Sequence, residues 1–519
     1  MKKSTSPTFL LELPLAVDPG QAKRLRAHFE AARCLYNALL GEALGRLKRM
    51  RADPAWQAAH ALPRSRKQER AAAFSHLRQV YGFSEYDVHD FAKHANCTWI
   101  ADHIDSMMTQ TLATRAYQAV NRVCLGKAKK VRFKSKGRGL DSVENKWEKS
   151  GVRFVLQRPE EGNQGWLVWD KDRLPAIIDW YDPVVKYGLD HRIKYARLVR
   201  RKASSLRAQG ADSQSYQYFV QLALEGTPYQ KSKNKPGHEV IGLDLGPSTV
   251  AIVPRAGEAR LVPLCEELRP DARKKRRLER KLDRQRRANN PQNYDEKGRV
   301  KKRGKKHHLN WKNSKGYLAT RRRLAHQERK QAAHRKSLHG RLVNEIVRVG
   351  NDIRIEKISY KGWQKQFGKS VGLRAPRMLI DHLRRTVAST GGILHEFPTP
   401  TTKLSQYCHG CRTYTKKSLS ERFHVCTCGI GPVQRDLYSA LLAAYLEPQN
   451  SIPSIAHNEW EGADLRLRAA MERLYQRATE GQVLPRSVGI SGARARLPKS
   501  LSTNRQELIY RRGRLEALE

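Results

Sequence analysis

The chain has 519 residues and carries 100 Lys+Arg against 50 Asp+Glu, a formal net charge of +50 at pH 7. With 39% hydrophobic residues it can bury a sizeable core, which excludes a wholly disordered chain, and its length leaves room for about three domains. A positive excess of this size repels itself unless a polyanion neutralises it. Nucleic acid is the natural partner, because each phosphate contact by Lys or Arg releases condensed counterions. No run approaches the ~18 consecutive apolar residues of a membrane span, and no basic amphipathic helix or lipidation signal stands out, which sets a membrane aside.

The first residues, through Val17, superficially resemble a signal peptide. Glu12 and Pro14 interrupt the apolar run and no small-residue cleavage site follows, so Phe9 to Leu15 reads as an opening β-strand. From residue 19 to about 130 the pattern is helical, with Leu25, Phe29, Ala32 and Leu35 at helical spacing, then Leu39, Leu40, Ala43 and Leu47. Asp90 to Ile104 and Thr109 to Leu125 are further predicted helices. The segments KVRFKS, GVRFVL, GWLVWD and SYQYFVQLALEG then read as strands of a β-domain, into one loop of which the helices are inserted. Trp147, Trp166, Trp169 and Trp180 are placed in its core in preference to stacking on nucleotides.

A polar link, Lys231 to Glu239, opens the second half. EVIGLDLGPSTVAIVP reads as a hairpin turning near Gly246 and Ser248, with a third strand from Ala259 to Leu264. From Leu268 to Arg341 there are 28 Lys+Arg and 6 Asp+Glu, spread over two helical arms, Ala272 to Ala288 and Tyr317 to Val347, and their linker. A strand (Ile353 to Ile358), a helix (Ala375 to Thr390), a strand (Gly392 to Phe397) and a helix (Asp436 to Leu446) follow. That succession is the one expected of an RNase H-like α/β fold. A helix from Trp460 to Ala478 precedes an Arg/Ser/Gly-rich tail that reads as flexible.

Three acids stand out by position. Asp244 shares a strand face with Gly242, opposite Ile241, Leu243 and Leu245. Glu356 shares one with Arg354, opposite Ile353 and Ile355. A carboxylate in an apolar strand is costly unless solvated, paired or bound to metal. Asp436 falls in the first turn of an apolar helix, where the dipole alone favours an acid. Each alone is ordinary; their order on a first hairpin, a later strand and a final helix is the signal. Converging, they would hold two magnesium or manganese ions for phosphodiester hydrolysis. No Ser-His-Asp arrangement or phosphate-binding loop competes.

Of the eight cysteines, Cys34, Cys97, Cys124 and Cys265 lie among apolar neighbours and read as core thiols. Cys408, Cys411, Cys426 and Cys428 cluster within 21 residues. Two close pairs make a structural zinc ribbon, although the second is Cys-x-Cys, which leaves His409 or His424 as a possible replacement for one thiolate. The chain reads as cytoplasmic.

GLDLGPSTVAIV, IRIEKISY and KLSQYCHGCRTYTKKSLSERFHVCTCGIGPVQRDLYSALLAAY resemble the three RuvC-like motifs and zinc ribbon of TnpB proteins and of the compact type V CRISPR effectors related to them. AARCLYNALLGEAL and AYQAVNRVCLGKAKKVRFKSKGRG resemble the family's helical and wedge segments, so the likeness spans residues 8 to 446. It implies a multidomain α+β protein: an RNase H-like (RuvC) nuclease domain with a zinc ribbon insert, and a β-barrel-like wedge domain holding an inserted helical recognition domain. The expected boundaries are 1–18 and 130–236 for the wedge, and 19–129 for the helical domain. The nuclease domain takes 237–404 and 432–447, the ribbon 405–431, and the tail 448–519.

The resemblance further implies catalysis by Asp244, Glu356 and Asp436, zinc on the four clustered cysteines, and a guide RNA whose pairing reads double-stranded target DNA beside a short motif read by the protein. Nucleic-acid contacts are expected from Arg273, Lys274, Lys275, Arg276, Arg277, Arg280, Lys281 and Arg284, from Arg321, Arg322 and Arg323, and from Lys134, Lys136 and Arg138. Such a protein would work at the nucleoid of a prokaryotic cell. Two departures are visible: the family often has an acid where Gln434 stands and Asn where Tyr438 stands. The competing readings are an RNA-guided protein that silences without cutting, which retention of all three acids disfavours, and an RNase H-like transposase, which the ribbon and the wedge-like half disfavour.

Overall fold

A computed structural model describes residues 6–490 except 64, 97–98, 138, 146–150, 158–161, 203–215, 270, 302–308 and 419. Cys97, Arg138, Trp147 and the tail beyond 490 therefore lie outside the described residues. Two compact units result, Met1–Tyr229 and Gln230–Glu519.

The first unit opens with β1 (Thr8–Leu15) and then α1 (Pro19–Ala52). Asp18 starts α1 through a capping box, its carboxylate accepting from the Gln21 amide while the Gln21 side chain accepts in return. The apolar positions read from the sequence, Leu25 through Leu47, are the buried face of α1. α2 (Pro54–Ala61), α3 (Lys67–Val80), α4 (Glu85–Ala95) and α5 (Ser106–Cys124) follow. The helix expected over Asp90 to Ile104 instead begins at Glu85, set by the Ser84 cap, and stops at Ala95.

KVRFKS is not a strand. The side chains of Asn37 and Arg33 donate to the Lys134 carbonyl and Asn37 accepts from its amide, so α1 takes the place of a neighbouring strand. β2 (Ser142–Glu144), β3 (Arg153–Leu156), β4 (Gly165–Trp169), β5 (Asp172–Pro175), α6 (Pro183–Leu189), β6 (Ile193–Lys202) and β7 (Tyr216–Glu225) complete the unit. They form two sheets, β1-β7-β6-β2 and β3-β4-β5, rather than one closed barrel among the described residues. β1 pairs with β7 across the helices, Thr8 opposite Glu225 and Leu15 opposite Tyr218. Trp169 is buried against His28, whereas Trp166 and Trp180 are half-buried.

The second unit is built on β8 (Val240–Leu245), β9 (Thr249–Pro254) and β10 (Arg260–Pro263), an antiparallel meander. The arms are α7 (Ala272–Asn289) and α8 (Lys315–Val349). After β11 (Asp352–Lys357) come α9 (Tyr360–Gln366), α10 (Gly368–Arg374) and α11 (Pro376–Ser389). β12 (Ile393–Pro398), α12 (Thr399–Thr402), β13 (Phe423–His424), β14 (Val433–Gln434), α13 (Arg435–Ala444) and α14 (His457–Thr479) end the described chain.

The sheet order is β10-β9-β8-β11-β12, with β11 parallel to β8 and β12 parallel to β11. One face, including Ile241, Leu243 and Ile355, packs on α8 and α11. The other, with Ala251 and Val253, packs on α13 and α14. Gly242 fixes this second contact. A Cβ there would lie 1.8 Å from the Ala440 carbonyl oxygen and 2.5 Å from the Ala444 nitrogen, so α13 rests backbone to backbone on β8.

Gly242→Ala should therefore force α13 off the sheet and cost about 3 kcal/mol or more in denaturant unfolding. Gly462→Ala, in α14 with open space around the added methyl, should be neutral or slightly stabilising in the same assay.

Candidate active site

β8 and β11 run side by side with Leu243 opposite Ile355, so Asp244 and Glu356, one residue further, stand level on neighbouring strands. Strand alternation puts both on the face of Gly242 and Arg354, the face that α13 covers. Asp244 lies two residues beyond Gly242, about 6.6 Å along the strand. Asp436 lies four residues before Ala440, about 6 Å along the helix. The close contact at Gly242 thus brings Asp436 to Asp244, and the three acids meet at the C-terminal ends of β8 and β11.

Their carboxyl groups are all driven above the usual carboxylate range. Desolvation raises Asp244 well above it, and the charges of Asp436 and then Glu356 add to the effect, against Arg435. Burial raises Glu356, opposed by hydrogen bonds from Thr402 and the Leu404 amide, which donate to the same oxygen, Oε1. Asp436 is raised by burial and opposed by Arg435 and Arg422. Arg435 is the largest opposing influence on Asp436, its Nε standing 3.8 Å away while its Nη1 donates to the Ser418 carbonyl at 3.0 Å. Among the described residues the clustered cysteines are the one group of three or more potential ligands whose atoms all lie within 4.8 Å of one another, and the three carboxylates do not all lie that close. An all-oxygen, desolvated and under-neutralised set fits a hard divalent cation such as magnesium or manganese.

Several positioning residues carry no motif. Buried Arg354 donates to the Ala444 and Leu446 carbonyls at the end of α13 and ion-pairs with Asp352 and Glu447. Arg255 adds a bond to the Ala444 carbonyl at 3.0 Å. The guanidinium groups therefore hold the C-terminal carbonyls of the helix that carries Asp436 at its other end. A glycine inside an apolar strand and an arginine on the face of Glu356 were the available signals for Gly242 and Arg354.

Both departures from the family pattern have work in this fold. Buried Gln434 is the N-cap of α13, accepting from the Leu437 amide at 2.7 Å. Tyr438, also buried, accepts from the His409 amide at 3.1 Å and bonds its Nδ1 at 2.7 Å, while its ring stacks on His424 at 4.4 Å.

In the cysteine cluster, Sγ of Cys408 and Cys428 are 3.5 Å apart, as are those of Cys411 and Cys426. Four sulfurs around a zinc at 2.3 Å would be about 3.8 Å apart, so this group fits zinc with modest expansion. Gly410 permits the knuckle, because a Cβ there would lie 3.2 Å from the Cys428 sulfur. Neither alternative ligand belongs to the group: His409 bonds Tyr438, and His424 Nδ1 contacts Lys417 Nζ. Cys428 is the fourth member of the group. Of the thiols assigned to the core, Cys34 and Cys124 pack half-buried against it, and Cys265 is half-buried as well.

α7 buries no residue, and its Arg273, Lys274, Arg276, Arg277, Arg280, Lys281 and Arg284 are exposed, as are Arg321, Arg322 and Arg323 of α8. Lys275 is half-buried and paired with Glu328 at 3.0 Å. Lys136 is exposed and Lys134 half-buried. Among the described residues no helix is long and apolar enough to cross a membrane.

No family model matches the chain, and no curated protein is similar to it. Among solved structures it is similar to a Cas12f1–sgRNA–target DNA complex, at 11% identity and TM-score 0.43, over 86% of this chain and 99% of that one. It is also similar to a CRISPR-Cas12f ternary complex, at 11% identity and TM-score 0.26, over 85% and 86%. At TM-scores below 0.5 neither superposition establishes a shared fold.

A carboxyl whose folded pKa is raised binds its proton more tightly folded than unfolded, so it subtracts stability as pH rises from the unfolded value through the folded one. In magnesium-free buffer, Asp244→Asn should melt higher than wild type, and by more at pH 7.5 than at pH 5.5; the comparison cancels His339, His409 and His424, whose lowered proton affinity favours the folded state as pH rises. An advantage equal at both pH values would mean the acids do not repel. Elemental analysis should find one zinc per chain. Cys411→Ser should lower that content and the melting temperature together, because Tyr438 ties the cluster to α13.

Proposed function

We propose that the chain is an RNA-guided DNA endonuclease with a single RuvC-like site formed by Asp244, Glu356 and Asp436. The observation that carries this reading is the meeting of three desolvated carboxylates at one end of a five-stranded sheet ordered β10-β9-β8-β11-β12. The succession of strands and helices expected of an RNase H-like fold supports it, as does the ordered resemblance of the motifs to TnpB and compact type V effectors.

Asp244, Glu356 and Asp436 would hold magnesium or manganese, which when bound supplies an activated water and stabilises the leaving oxygen of a phosphodiester. The residues do the rest. Thr402 and Leu404 orient Glu356 through Oε1. Arg354, Arg255 and Gln434 fix the two ends of α13 and so the place of Asp436. Arg435 and Arg422 keep positive charge beside the site, where a phosphate would otherwise meet three acids. The four cysteines would hold zinc structurally, since four protein ligands leave no open position. The exposed arginines and lysines of α7 and α8 would bind the guide RNA or its heteroduplex through phosphates. The wedge and helical segments would read a short motif in the target duplex.

The protein purified without nuclease should carry a discrete structured RNA. With it, Asp244→Ala should lose at least about a hundredfold in magnesium-dependent cleavage. Guided DNA binding should stay within about threefold, because the acid faces the reacting phosphate and not the strand as a whole. RNA-free protein with full cleavage would refute guidance. Cleavage surviving in the variant would place the nuclease site elsewhere. Guided binding without cleavage in wild type, with either metal, would make this a silencing protein.

A further inference from the structure

Where α1 passes into α2 and α5 ends, the first unit contains an open cavity of about 600 Å³ lined in part by Arg51, Trp56, His60, Phe74, Arg78 and Leu125. Aromatic rings make one side of it. Buried Trp56 meets Phe74 edge-on at 4.9 Å and His60 at 5.2 Å, and His60 meets Phe74 at 5.1 Å. Cations make another. Arg51 lies 5.9 Å from the Trp56 ring centroid and donates to the Val123 carbonyl at 2.9 Å. Arg78 is held in place by Tyr117 Oη at 3.2 Å and Asn121 Oδ1 at 3.0 Å. Among the described residues that line the cavity none is acidic. Leu125 is 53% exposed, an apolar side chain left to water, and exposed Lys127, Lys129 and Lys130 follow it in the chain.

Rings, guanidinium groups and the absence of carboxylates select a ligand with flat apolar faces and negative charge. The cavity is within the size range that small ligands fill. An apolar peptide would be poorly matched to two arginines and three following lysines, whereas a base finds the exposed His60 and half-buried Phe74 rings over a buried Trp56 floor and its phosphate finds arginine. We propose that this cavity holds one unstacked nucleotide of an RNA or DNA strand. The proposal rests on the reading of the chain as a nucleic-acid-binding protein and is independent of whether it cuts.

The test uses the full chain and short single strands carrying 5-iodouracil, one RNA and one DNA, with photocrosslinks mapped by peptide mass. A crosslink between Trp56 and Arg78 is expected in at least one arm, and the arm that gives it identifies the strand. Leu125→Asp and Arg51→Gln, both at exposed positions, should each cut that yield about tenfold. Circular dichroism and crosslinks to α7 should stay unchanged, which separates local loss from misfolding. Crosslinks confined to other segments in both arms would overturn the proposal, as would undiminished yield in both variants. Because the strands need neither guide nor metal, a chain that never cuts can pass this test, and one that cuts normally can fail it.

Discussion

The second unit depends on one contact between main chains. Gly242 has no side chain, so the Ala440–Ala444 stretch of α13 lies directly on β8. The place of Asp436 in the acidic site follows from that approach, and the pairing of β8 with β11 sets that of Glu356. Asp244 lies two residues along the strand, Asp436 one helical turn back, and Glu356 level with Asp244 on the neighbouring strand. The same contact costs electrostatic energy, because it brings half-buried Asp244, Glu356 and Asp436 toward one another. Arg354 and Arg255 hold the far end of α13 against that repulsion by binding its terminal carbonyls. A site that is strained by its own charge and held by packing elsewhere has the character of a cation site.

The cysteine cluster belongs to the same mechanical unit. Its loop is tied to α13 through Tyr438, whose hydroxyl binds His409 and whose ring stacks on His424. Gln434 ends β14 and caps α13, so the strand that closes the cysteine loop and the helix that carries Asp436 meet at one residue. A side chain longer than Asn at position 438 is what reaches the knuckle. Tyr438, at a position where the resembled motif often has Asn, serves as a strut between the knuckle and α13.

Much of this was legible in the sequence, and for local reasons. The acids were visible because each interrupts an apolar strand or opens an apolar helix, and the arms because charge density needs no tertiary context. What escaped depends on partners distant in sequence. β6 was passed over because half its residues are Lys or Arg; Arg200 lies 4.1 Å from the Phe29 ring and Arg201 pairs with Glu12 at 2.6 Å, contacts that no local pattern announces. KVRFKS has strand composition, yet side chains of α1 satisfy its backbone. Gly242 was seen to share a face with Asp244, but its role needed the helix that covers it. The cavity near Trp56 joins residues from three separated stretches and had no motif to find.

The central claim, that α13 on β8 builds a divalent-cation site from Asp244, Glu356 and Asp436, is tested most directly by anomalous diffraction from crystals soaked in manganese. The account predicts manganese peaks bounded by those three carboxylates, distinct from a zinc peak among Cys408, Cys411, Cys426 and Cys428. Manganese found only elsewhere, with the three acids left unliganded, would contradict it.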